Sequence, residues 1–249
     1  MLQQPPIDTF GPSKVWLSLL ALAALLIASM SFYSPFAEND LDFIWPGRLL
    51  ALLFALWFVW VLSVKVSFHP NGIAYRSLFG ARDMLWDEVD RFYYEARKMS
   101  VYFIPIGTIF SFKLVSAKRE RISFGKGLER GAEIGNKLEQ ATYPSLFRRA
   151  TDLFDNGVEV DFGPVRLSRS TGIHIKKLFR AVNIPLDSVA DYRIEGGKLY
   201  VWRIGQKRTK TRPEDPFDWG VAIRRIPNVF VLLGILDAFY EQRGRSSSI

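Results

Sequence analysis

The chain has 249 residues, 49% of them apolar, and its 33 basic and 25 acidic side chains give a formal net charge of +8. It contains no cysteine, which excludes disulfides and cysteine-ligated metals and argues against a small cross-linked extracellular domain. Its two histidines, His69 and His174, lack metal-ligand spacing. No Gly-x-Ser-x-Gly elbow or complete phosphate loop is present, so metal and nucleophilic catalysis have no support in the sequence.

Residues 1–14 read as an N-terminal tail. Val15–Ala37 then runs 23 residues without a charge, and Leu49–Val64 runs another 16 just after Arg48. A helix of about 20 residues crosses a hydrocarbon core of about 30 Å, so both runs predict transmembrane helices and 15–64 a two-helix membrane hairpin. The loop between them, 34–47, holds Glu38, Asp40 and Asp42 but no Lys or Arg, whereas residues 65–249 hold 31 of the 33 basic side chains. Positive charge is retained on the cytoplasmic side. The expectation is a multi-pass protein of the inner (plasma) membrane with both termini cytoplasmic. Trp16, Phe32, Tyr33, Trp45 and Trp60 lie near span ends and suit the interfacial aromatic belt. A cleaved signal peptide fits the first run poorly, because Lys14 is balanced by Asp8 and no small-x-small site follows. A pore would need interior ionisable residues, and the spans have none.

Lys65–Ser77 reads as strand, turn, strand about Pro70-Asn71-Gly72. Met84–Glu95 predicts a strand or a pair, Val101–Val115 buried strands broken at Pro105 and Gly107, and Lys118–Phe124 a further strand. Over Leu128–Thr142 the period changes: Leu128, Ile134, Leu138 and Ala141 have helical spacing. Pro144 predicts the end of that helix, and Ser145–Phe154 a second, short one. Asp155-Asn156-Gly157 closes it. The domain boundary is placed there, giving domains over 65–156 and 157–243 and a disordered tail over 244–249. Strands are expected over 158–162, 172–179, 182–192, 199–204 and 219–225, with a tight turn at 195–198. Pro227-Asn228 opens a final helix over 229–243.

The second half repeats the first. Gly72–Glu95 and Gly172–Glu195 align without a gap and share eight of 24 residues: Gly72/Gly172, Ile73/Ile173, Leu78/Leu178, Phe79/Phe179, Ala81/Ala181, Asp87/Asp187, Val89/Val189 and Glu95/Glu195. A period of about 100 residues is a domain duplication, since solenoid units run about 20–50. Each copy is a set of antiparallel strands closed by a helix. Copy one contributes Gly72-Ile73 and Trp86-Asp87-Glu88-Val89. Copy two contributes Phe162-Gly163, Gly172-Ile173, Ile184-Pro185-Leu186-Asp187-Ser188-Val189, Gly197, Trp219 and Ile226-Pro227-Asn228. On these residues the chain resembles pleckstrin-homology (PH) proteins. The likeness is closest to an uncharacterised bacterial family that carries tandem PH-like domains after a transmembrane hairpin. The resemblance implies a fold and a membrane location, and no activity. The expected fold class is a membrane α-helical hairpin plus an α+β part, with two PH-like antiparallel β units each closed by a C-terminal helix.

Arg203, Lys207, Arg208, Lys210 and Arg212 fall within ten residues. Beside a membrane anchor such a cluster would meet anionic headgroups at about 1 kcal/mol per basic residue. A solvated hairpin tip is the plainer reading, and a protein partner a third. Lys176, Lys177 and Arg180 lie between the first two strands of copy two, where the resemblance implies a headgroup-phosphate site. Residues shared between the copies are assigned to the scaffold. The functional expectation is a membrane-anchored, non-catalytic interaction protein, presenting its tandem domains for protein, self or anionic-lipid contacts, with no cofactor, metal or nucleic acid. The alternative is an accessory subunit of a transporter or an unrecognised enzyme.

Overall fold

Antiparallel strands dominate the computed structural model, which describes residues 2, 4–14, 17–18, 21–25, 29, 41–101, 104–176, 181–205 and 220–246. They belong to two compact units, 1–85 with 125–131 and 86–124 with 132–249.

The first unit contains helix α1 (Leu41–Ser63) and a sheet of order β1-β2-β3-β4, formed by Asp8–Phe10, Lys65–His69, Gly72–Ser77 and Gly80–Leu85. Val66 and Phe68 alternate with polar residues along β2 and are buried together with Phe10, Ile73, Ala74 and Met84, as the period of two in a strand requires. The rings of Phe10 and Phe68 meet edge to face at 5.5 Å, and the Arg130 guanidinium lies 4.8 Å from the Phe10 centroid. Residues 1–14, read from sequence as a tail, thus supply a strand; three residues are too few to show alternation.

The second unit holds β5 (Val89–Val101), β6 (Ile104–Ser116) and β7 (Arg121–Phe124) in one sheet, then helix α2 (Gly131–Asp155) from its second residue onward. β8 (Val160–Phe162), β9 (Val165–Ser168), β10 (Gly172–Lys176) and β11 (Ala181–Ile184) form a four-stranded sheet. β12 (Val189–Glu195), β13 (Lys198–Arg203) and β14 (Val221–Ala222) form a three-stranded one, and helix α3 (Val229–Ser246) closes the order. The core joins Leu146, Ala150 and Phe154 of α2 to Phe162, Leu167, Ile173, Ile184 and Val201 of the strands and to Leu232, Ile235 and Leu236 of α3.

The duplication extends to ladder register. Ile73 pairs Met84 and Arg76 pairs Ala81 in the first copy; Ile173 pairs Ile184 and Lys176 pairs Ala181 in the second. Each hairpin runs into a single 3-10 turn, Trp86–Glu88 or Leu186–Ser188, whose first residue is buried. Each next strand then bulges at the same place, between Val89 and Arg91 or between Val189 and Asp191. The shared glycines follow from this geometry. A Cβ on Gly72 would lie 2.3 Å from the Met84 carbonyl oxygen, and one on Gly172 2.1 Å from that of Ile184.

Three expectations are corrected. The membrane hairpin does not hold: among the described residues no helix is long and apolar enough to cross a membrane. The first expected span, 15–37, lies mostly outside the described residues. The second falls in α1, which begins at Leu41 inside the expected loop and carries Asp42, Pro46 and Arg48 in its first eight residues. Its uncharged helical part, Leu49–Ser63, is 15 residues, or about 22 Å at about 1.5 Å per residue, short of a core of about 30 Å. The integral two-span membrane partner and the multi-pass inner-membrane placement with cytoplasmic termini fall with it. The fold class is instead mostly antiparallel β-sheet with few helices.

The expected break at Pro144 is also absent, since α2 continues through it. Pro144 is exposed, while Leu138 and Leu146 are buried on either side. Burying two leucines contributes about 3–6 kcal/mol, against about 3 kcal/mol for an interior proline. Thr142 and Ser145 also hydrogen-bond to the carbonyls of Leu138 (2.7 Å) and Thr142 (3.1 Å). Finally, the strand expected over 219–225 is only Val221–Ala222 before the chain turns at Ile223–Arg225.

Candidate interaction surfaces

The second unit takes in half of the first repeat and all of the second, and its polar side chains show how. β5 is an edge strand, so its outward N–H and C=O groups need partners from elsewhere. Asn228, at a φ of 53° just before α3, supplies them. Its side-chain oxygen accepts from the Phe92 N–H (2.7 Å), its amide nitrogen donates to the Asp90 carbonyl (2.8 Å), and its own N–H donates to the Phe92 carbonyl (2.8 Å). Those three groups lie on one side of the strand, as alternation dictates, and Asn228 completes them as a neighbouring strand would. Arg149 of α2 donates to the Val89 carbonyl at 2.5 Å. Arg91 pairs with Asp161 at 3.0 Å.

Glu95, further along β5, meets Arg97 at 2.6 Å and Arg224 at 3.3 Å. Burial disfavours its ionised form, and the hydrogen bonds and charges of both guanidiniums outweigh burial, so its pKa lies below the ordinary value. A depressed folded pKa means the contribution is present above the ordinary carboxylate range and is lost as pH falls through the lowered value. The pairs are solvated and worth at most about 1 kcal/mol. Glu95→Gln is therefore expected to lower stability by up to about 1 kcal/mol near neutral pH and to be silent in strong acid. Urea unfolding at both pH values reads this directly.

Of the basic residues named from sequence, the described ones are Lys176 and Arg203. Lys176 is exposed at the end of β10. Arg203 ends β13 and donates to the Asn183 carbonyl at 2.7 Å, tying its strand to β11. Lys177, Arg180, Lys207, Arg208, Lys210 and Arg212 lie outside the described residues. His174 sits on β10 between Arg166 and Asn183 of the flanking strands, and His69 Nδ1 lies 2.7 Å from the Gln4 carbonyl oxygen. Among the described residues no group of three or more His, Asp or Glu could hold a metal ion.

A cleft of about 290 Å³ runs along α2, lined by Asn136, Glu139, Gln140, Tyr143 and Pro144. Burial pushes the Glu139 carboxyl above its ordinary pKa. The Tyr192 hydroxyl, bonded to Asp237, is pushed up by burial first and by that bond second.

The first unit carries what the sequence reading missed. The turn between β3 and β4 is Leu78-Phe79, exposed at 58% and 82%. Exposed with it are Leu49, Leu52, Leu53, Leu56, Trp57, Val59 and Leu62 of α1. Ser63 connects the two features: its hydroxyl accepts from the Leu78 N–H (2.8 Å) and donates to the Trp60 carbonyl (2.7 Å). Leu78 and Phe79 were assigned to the scaffold because Leu178 and Phe179 repeat them. The signal available was their position on a two-residue turn, where Gly, Asn, Asp and Ser are the usual occupants.

The chain belongs to a family of unknown function, DUF6585, whose model matches residues 5–244. No curated protein matches it.

Proposed function

We propose that this family member is a non-catalytic interaction protein, and that it contacts an apolar face of another protein through Leu78, Phe79 and helix α1. The observation that carries this is the exposure of Leu78 at 58% and Phe79 at 82% on a turn bonded to Ser63, the last residue of α1, together with the exposed apolar side chains along that helix. Contiguous exposed apolar surface on a folded protein marks a contact site. The second unit supports the same reading, because its polar side chains are used to tie repeat to repeat along β5. Among the described residues, seven strands and a closing helix in each repeat support reading both as PH-like, which speaks to scaffold and not to activity.

A photoreactive residue at position 79, introduced into living cells, is expected to give one discrete adduct with another protein. The adduct should disappear when Leu53 and Trp57, on α1, are replaced by Ser. Adducts that form from position 176 and not from 79 would sink the proposal and move the contact to the basic end of β10. Binding of the purified chain to anionic vesicles that survives Phe79→Ser would sink it as well.

A further inference from the structure

The first strand pair of each repeat is closed differently. β1 pairs β2 through Asp8↔Phe68, Thr9↔Ser67 and Phe10↔Val66. β8 pairs β9 through Val160↔Leu167, Asp161↔Arg166 and Phe162↔Val165. The ladders correspond residue for residue, Phe10 to Phe162 and Val66 to Val165. In the second repeat Gly163-Pro164 alone join the paired ends. In the first, Gly11-Pro12 follow Phe10 in the same order, and residues 13–65 then intervene before Val66. Phe-Gly-Pro is common to both repeats; Lys65, opposite Arg76, holds the ladder position that Pro164 holds opposite Lys176, and the 52 residues of 13–64 have no counterpart.

We infer that residues 13–64 are an insert in the β1–β2 turn of a repeat that is complete without it, Pro12 taking the place of Lys65 when the turn is closed, and that this insert brings the apolar surface of α1 to the fold. Lengthening a loop costs little once its ends are held, because closure entropy grows only with the logarithm of length. The ends are held by the ladder itself. Among the described residues few bonds join the ends of 13–65 to the rest of the unit: the Ser13 N–H to the Gly127 carbonyl (2.7 Å), the Lys14 N–H to Glu129 Oε1 (3.0 Å), Ser63 to Leu78, and the pairing of Lys65, the first residue of β2, with Arg76. Joining Pro12 to Val66 recreates Phe-Gly-Pro-Val, the sequence of Phe162–Val165. Gly163 turns at a φ of 71°. Gly11 has nothing within 4 Å of a would-be Cβ, and as glycine it can adopt that conformation freely.

Two deletions test the inference: one joining Pro12 directly to Val66, the other joining them through Gly-Gly. At least one is expected to unfold cooperatively, with β-type circular dichroism and a midpoint within about 10 °C of the full chain, since few hydrogen bonds to the rest of the unit are lost among the described residues. The fluorescence of 8-anilinonaphthalene-1-sulfonate, a probe of exposed apolar surface, should fall several-fold. If neither form unfolds cooperatively, the insert is part of the repeat's fold and the inference is overturned. Dye fluorescence unchanged in a folded deletion overturns its second half. The second half rests on the same surface as the proposed function, but the tests separate them: unfolding reads the insert, and crosslinking from position 79 reads the partner.

Discussion

Gly172→Ala is expected to destabilise the protein by about 3–5 kcal/mol, lowering the thermal midpoint by about 10 °C. The new Cβ would lie 2.1 Å from the Ile184 carbonyl oxygen and 2.8 Å from the Pro185 Cα, both backbone atoms that no rotamer change can move. The φ of +88° adds strain for any L side chain, about 1–2 kcal/mol. Gly157→Ala separates the two causes, because Gly157 also has a positive φ, +74°, but nothing within 4 Å of its would-be Cβ. It should lose about 1 kcal/mol. Equal losses in the two variants, by urea unfolding, would mean that the close approach of the strands is not what selects glycine. Gly72→Ala meets the Met84 carbonyl oxygen at 2.3 Å without a positive φ, and should fall between the two.

Asn228→Ala should cost about 2–4 kcal/mol. It leaves the Phe92 N–H without its acceptor and the Asp90 carbonyl without its donor, on an edge strand where, among the described residues, no other strand supplies them. Asn228→Gly tests the cause. Glycine accepts the φ of 53° without strain, yet lacks the amide, so it should lose nearly as much as alanine. Amide hydrogen exchange at Phe92 should accelerate in both variants. A glycine variant as stable as the parent would show that Asn228 serves only the backbone turn, and that β5 is not held to the second repeat through it.

Some of this was legible in the chain. The shared Gly, Ile, Asp and Val positions marked a duplication, and the structure gives the copies matching registers, 3-10 turns and bulges. Leu186 stands where Trp86 does, and both are buried. The candidate site was far less legible. Arg203, named from sequence in a basic run, donates to a carbonyl of the adjoining sheet, and Lys207, Arg208, Lys210 and Arg212 of that run lie outside the described residues. Leu78 and Phe79 were assigned to the scaffold because they recur, yet in the first copy they face solvent. Identity between copies records common origin, and burial depends on which way a turn points.

By itself, then, the sequence determined the local elements. Alternation, turn glycines and helical spacing are set by neighbours a few residues apart, and those contacts persist in any context. Tertiary structure decided the rest. Whether α2 would bend at Pro144 depended on Leu138 and Leu146 finding a core. Whether the apolar run after Arg48 would make a span depended on where its helix began and ended. That Asp8–Phe10 are a strand depended on β2, more than fifty residues further along the chain. Each of these is a balance between a local cost and contacts distant in the chain, and only the folded chain brings both sides of the balance together.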